Sequence, residues 1–77
     1  MQSEINDPME SEFESLINGV QERDAMLKKF GKPDDVFENK NLNRIQYTFS
    51  GLIAGAEIFV FEDLSARSLK FALMKSE

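Results

Sequence analysis

Arg44-Ile45-Gln46-Tyr47-Thr48-Phe49-Ser50 alternates apolar and polar side chains without a break, and Glu57-Ile58-Phe59-Val60-Phe61-Glu62 then sets four consecutive apolar residues between two acids. Strict alternation is the mark of a strand with one buried face. A strand apolar on both faces belongs in the middle of a sheet. Downstream, Arg67 to Met74 puts Leu69, Phe71 and Leu73 on one face and Ser68, Lys70, Ala72 and Met74 on the other. Gly51–Gly55 and Asp63-Leu64-Ser65-Ala66 connect these runs and are short enough for antiparallel hairpins. The second half of the chain therefore predicts a three-stranded antiparallel meander.

Upstream the period changes. Residues 1–9 are polar and aperiodic and read as a flexible acidic tail, with residues 10–77 as a single α+β domain. Ser11-Glu12-Phe13-Glu14 fits a capping box, which starts a helix there. Phe13, Leu16, Ile17 and Val20 recur at helical spacing and form its buried stripe. At 100° per residue, a continuous helix would carry Asp24 into the centre of that stripe. A break near Gly19–Gln21 avoids burying the carboxylate, and a second short helix then buries Met26, Leu27 and Phe30, with Gly31 as its cap and Pro33 preventing resumption. Asp34, Asp35 and Glu38 read as a turn or a helix N-cap. The expected order is ααβββ, two N-terminal helices on one face of three strands.

A chain of 77 residues hides only about 60% of the surface its unfolded form exposes, so it supports one small core. It has no His and no Cys, which removes the commonest general base, the thiol nucleophile and the usual zinc ligands. No nucleophile frame and no phosphate-cradling loop occurs, because Gly51–Gly55 lacks the Lys-Ser/Thr that should follow. Asp34, Asp35 and Glu38 lack the glycine and the ligand count of a calcium loop. The expectation is a protein that is not an enzyme and holds neither cofactor nor metal.

The formal charge of −5 is unevenly spread, with residues 1–24 at −6 and residues 25–77 at +1. An acidic chain is poorly suited to phosphate backbones, and no direct nucleic-acid binding is expected. No apolar run reaches the roughly 18 residues needed to span a bilayer, so no transmembrane segment is expected. A complete chain would be cytoplasmic, and one that had lost a leader would belong to the cell envelope.

Gly19-Val20-Gln21, a short helix ending Leu27-Lys28-Lys29-Phe30-Gly31-Lys32-Pro33-Asp34, then a Tyr-containing strand and two more, resembles the outer-membrane lipoprotein family SmpA/OmlA, also called BamE. The resemblance covers roughly residues 13–73. It implies two helices packed on a small antiparallel sheet, an architecture also found in the β-lactamase inhibitor protein, and a role in assembly at the outer membrane. Gln21 stands where the family has a capping Thr, the Gly19 to Gly31 spacing is about one residue long, and the lipobox is missing.

A protein-binding module is the leading functional expectation: an adaptor, assembly subunit or inhibitor that occupies the surface of another protein. The central strand must send either Ile58 and Val60 or Phe59 and Phe61 to the sheet face away from the helices. Leu52 and Ile53 sit where turns normally carry Asn, Asp or Ser, and with an outward Ile58 and Val60 they would form an apolar anchor. A homodimer could cover the same strip. The alternative is an acidic regulator, or mimic of nucleic acid, that binds a basic nucleic-acid-binding partner through residues 1–24, with Glu10, Glu12 and Glu14 in the contact.

Overall fold

In a computed structural model of the 77-residue chain, residues 8–76 are described. Two helices, α1 (Pro8–Ile17) and α2 (Arg23–Phe30), precede four strands, β1 (Asp35–Asn39), β2 (Arg44–Phe49), β3 (Ala56–Asp63) and β4 (Ser68–Lys75). The strands form one antiparallel sheet in the order β1-β2-β3-β4. The expected three-stranded meander is thus corrected to four, and the residues read as a turn or helix cap supply the extra strand. Asp35 and Glu38 lie within β1, opposite Thr48 and Ile45.

Among the described residues, helix α1 runs from Pro8, one turn before the predicted capping box. The earlier start lets Met9 join Phe13, Leu16 and Ile17 against the core. Pro8 and Met9 are therefore helical, whereas the rest of the predicted tail, residues 1–7, lies outside the described residues.

The predicted break between the helices is present. Gly19 adopts φ +80°, a left-handed conformation that costs glycine little. Asp24 consequently sits exposed in the first turn of α2 rather than in the core. Lys29 Nζ reaches back from α2 to the Ser15 and Asn18 carbonyls at 3.3 and 3.4 Å, satisfying acceptors that the end of α1 leaves open. Gly31 ends α2 at φ +90°, with its amide donating to the Leu27 carbonyl.

Met26 and Phe30 are buried as expected, but Leu27 is 37% exposed. Leu27 lies 100° around the helix from Met26 and so leaves the buried stripe. Phe30 packs edge-on against Phe49 of β2 and Phe71 of β4, with ring centroids 5.2 and 6.3 Å away. Helix α2 therefore bears on the middle of the sheet, while α1 lies along β4.

Register fixes which side chains share a face. Tyr47 opposes Val60, Phe49 opposes Ile58, and these in turn oppose Phe71 and Leu73. Ile58 and Val60 are accordingly on the helix side, fully buried, and cannot contribute to an exposed anchor. Ile53 is 2% exposed and Leu52 packs against the same core. The anchor expected from Leu52, Ile53, Ile58 and Val60 is thus corrected: these residues close the core beneath the helices. Among the described residues, no helix is long and apolar enough to cross a membrane.

Candidate functional site

Once Ile58 and Val60 point inward, period two sends Phe59 and Phe61 to the other face of the sheet. Their cross-strand partners assemble the rows of that face. Phe61 opposes Gln46 and Lys70, and Gln46 opposes Phe37; Phe59 opposes Thr48 and Ala72, and Thr48 opposes Asp35. Arg44 and Asp63 form the row at one end, with Glu57 and Met74 at the other. Neither helix covers this face. Phe37 is 60% exposed, Met74 57% and Phe61 39%.

Leu42, in the turn between β1 and β2, stands beside this strip. Asn39 Oδ1 accepts the Leu42 amide at 3.1 Å, and Asn43 takes the left-handed conformation that the turn requires. Phe37, Leu42 and Phe61, with Arg44 and Gln46, line a concavity of about 190 Å³. Across the same end of the sheet, Asn43 Nδ2 donates to Ser65 Oγ at 2.7 Å, and the Leu64 amide donates to the Asn43 carbonyl at 3.0 Å. These bonds tie the two turns together at the end of the sheet beside the concavity. Contiguous apolar side chains exposed on one sheet face are a candidate docking surface.

A second candidate lies at the mouth between α2 and the sheet. Glu62 is 6% exposed and faces the helices. Its two carboxylate oxygens accept from Arg23 Nε at 2.9 and 3.2 Å, and Oε1 also accepts from the Tyr47 hydroxyl at 2.7 Å. Burial, and then the hydrogen bond to Glu62, push the Tyr47 phenol up to about 12. The Arg23 guanidinium is held above its ordinary value, first by its hydrogen bond to Glu62 and then by the charge of that group. Glu22, Asp24, Leu64 and Arg67 surround the adjoining open cleft of about 580 Å³.

Chemically these three groups are largely paired with one another. Arg23 and Tyr47 together take three of the roughly four lone-pair positions of the Glu62 carboxylate. A phenol raised to about 12 is a poorer proton donor near neutrality than an ordinary tyrosine. The trio is best read as the means by which a buried carboxylate is tolerated beneath α2.

The remaining sequence candidates are dispersed. Asp34 Oδ2 accepts the Ser50 amide, while Asp35 and Glu38 point to opposite faces of β1. Among the described residues, no three acidic groups gather as a metal site. Glu10, Glu12 and Glu14 are exposed on α1, yet Glu10 and Glu14 share a side that Glu12, two residues from each, does not. Glu10 lies 3.7 Å from Lys75 Nζ. Sequence reading placed Met74 on the outer face without a role and missed Phe37 and Leu42; the adjacent Val36-Phe37 pair between acids was the only signal for β1, and it carries no period.

Comparison with protein-family models, curated proteins and solved structures finds no match to this chain. A functional reading therefore has to rest on the sheet face itself.

Proposed function

We propose that this chain is a non-enzymatic protein-binding module that docks another protein surface on the open face of its sheet. The observation that carries the reading is the exposure of Phe37, Phe61 and Met74 on a face whose opposite side holds the whole core. Exposed aromatic side chains are the typical anchors of protein interfaces, because they bury a large area at little conformational cost. An adaptor, an assembly subunit of the SmpA/OmlA kind and an inhibitor all fall within this class. Each works by occupying a surface, and none requires chemistry at the site.

Incorporating the photo-crosslinker p-benzoylphenylalanine at Phe61, with Glu12 as the control position, tests the proposal in a lysate. The captured protein is identified and purified, and its affinity is measured by calorimetry. Phe37→Ser and Phe61→Ser together should weaken that affinity at least about tenfold, the loss expected from removing two anchors. Capture that is equal at Glu12, or an affinity indifferent to both changes, contradicts the reading.

A further inference from the structure

We propose that Asn18 is a site of spontaneous covalent modification, converting through a succinimide to aspartate and isoaspartate, and that the isoaspartyl form loosens the connection between the two helices. The site lies in the loop between α1 and α2, and no part of the docking surface belongs to it.

Asn18-Gly19 is the single Asn-Gly step in the chain. Both residues are exposed, in the turn that follows α1. The Val20 amide donates to the Ile17 carbonyl at 3.0 Å and Gly19 holds φ +80°, the form of a type II turn, whose third position suits glycine. Among the described residues the Gly19 amide has no acceptor. The Ser15 carbonyl, which a continuing helix would offer it, accepts Lys29 Nζ at 3.3 Å instead. The Asn18 side-chain amide likewise makes no hydrogen bond among the described residues.

These two free groups are the ones the reaction uses. The Gly19 nitrogen gives its proton to solvent base and attacks Cγ of Asn18. A C–N bond forms, the bond from Cγ to the side-chain nitrogen breaks, and ammonia leaves. Water then opens the succinimide. Cleavage at Cγ yields aspartate on an ordinary main chain, and cleavage at the α-carbonyl yields isoaspartate, whose main chain runs through Cβ and Cγ. Glycine hinders the attack least because it has no Cβ. Around Gly19 the space is open, with nothing within 4 Å of where a Cβ would stand.

The asparagines around the first hairpin lack this combination. Asn39 and Asn43 hold their side chains in hydrogen bonds to the Leu42 amide and Ser65 Oγ, and Asn39, Asn41 and Asn43 are followed by Lys, Leu and Arg. Position 18 also has structural consequences. Ile17 on one side packs against the core, and Val20 on the other is 6% exposed. An isoaspartyl link inserts a methylene into the main chain between these two anchors, inside the turn that the Val20 amide closes. Either product also adds a negative charge beyond the C-terminus of α1, where the helix dipole disfavours it.

Incubation of the full chain at mildly alkaline pH, followed by cleavage after glutamate, tests this. Cleavage releases residues 15–22, with Asn18 as their only asparagine, and residues 39–57, with Asn39, Asn41 and Asn43. Segment 15–22 should gain the mass of an amide-to-acid exchange at least about tenfold faster than segment 39–57, a barrier difference of about 1.4 kcal/mol, and isoaspartyl methyltransferase should label it. The folded chain should convert within about tenfold of its rate in denaturing urea, because the turn leaves both groups free. Asn18→Ser should abolish the labelling of this segment. Conversion no faster than that of segment 39–57, or suppressed by folding beyond that tenfold, overturns the site. The isoaspartyl form, separated chromatographically, should unfold at lower urea than Asn18→Asp, which carries the same charge on an ordinary main chain. Equal midpoints overturn the loosening.

Discussion

Replacing Arg23 by Met removes the cation from a carboxylate that is 6% exposed and leaves the Tyr47 hydroxyl as its one remaining donor among the interactions described. A fully buried pair broken in this way costs about 3–5 kcal/mol, and an exposed pair between zero and about 1. Here the Glu62 side chain is 8% exposed but that of Arg23 is 46%, so water screens one partner. The expected cost of Arg23→Met is about 1–2 kcal/mol, between those limits. Glu62→Gln keeps the shape and an acceptor for Tyr47 while removing the charge that Arg23 neutralises. In the double variant no buried anion is left unpaired, so the two costs should fall short of adding by about 1 kcal/mol. Urea unfolding of the four proteins, at one pH near neutrality and with a common m-value, measures that coupling. Costs that add within about 0.3 kcal/mol would show that the contact at 2.9 Å contributes nothing to stability, and would refute the argument that Arg23 is what makes the buried Glu62 tolerable.

Tyr47 is the only tyrosine, so absorbance near 295 nm reads its ionisation directly, and the midpoint should lie near 12; a midpoint near 10 contradicts the buried hydrogen bond to Glu62. Because the folded value is raised, the linked stability is fully present below the ordinary value of about 10 and is lost as pH rises toward 12, a loss that Tyr47→Phe should abolish in melts across that window. Ile53→Ser should destabilise the domain by about 2–5 kcal/mol, as truncation of a buried aliphatic does, whereas Phe61→Ser should change the urea midpoint little; equal effects would contradict the inside–outside assignment of the sheet. Arg67 holds φ +55° at the start of β4, a conformation strained for any residue with a side chain, so Arg67→Gly should raise stability by up to about 1 kcal/mol, and a clear loss would mean that its side chain contributes a contact outweighing the strain.

Legibility in the sequence followed burial. Strand β3 was readable because it is apolar on both faces, and β2 because one face meets the helices and the other is largely polar. Strand β1 was not, since Val36 is 52% exposed on the helix side and Phe37 60% on the other, and alternation arises only where one face is buried. Which pair of β3 residues faces outward was undecidable from the pattern. A loop of six residues between Phe49 and Ala56 leaves the register free by one, and one step exchanges the two faces. The structure settles it by placing the β-branched Ile58 and Val60 opposite Phe49 and Tyr47. The ion pair between Arg23 and Glu62 joins residues 39 apart and has no local signature at all.

Docking of another protein on the open face of the sheet, as proposed, has a direct spectroscopic test. Adding the protein captured through Phe61 to the ¹⁵N-labelled chain, and following the amide spectrum, reads out every strand at once. Shifts should concentrate in β3 and its neighbours around Phe37, Gln46, Phe59, Phe61 and Lys70, with α1 and α2 unchanged. Shifts confined to α1 around Glu10, Glu12 and Glu14, or none anywhere, would contradict it.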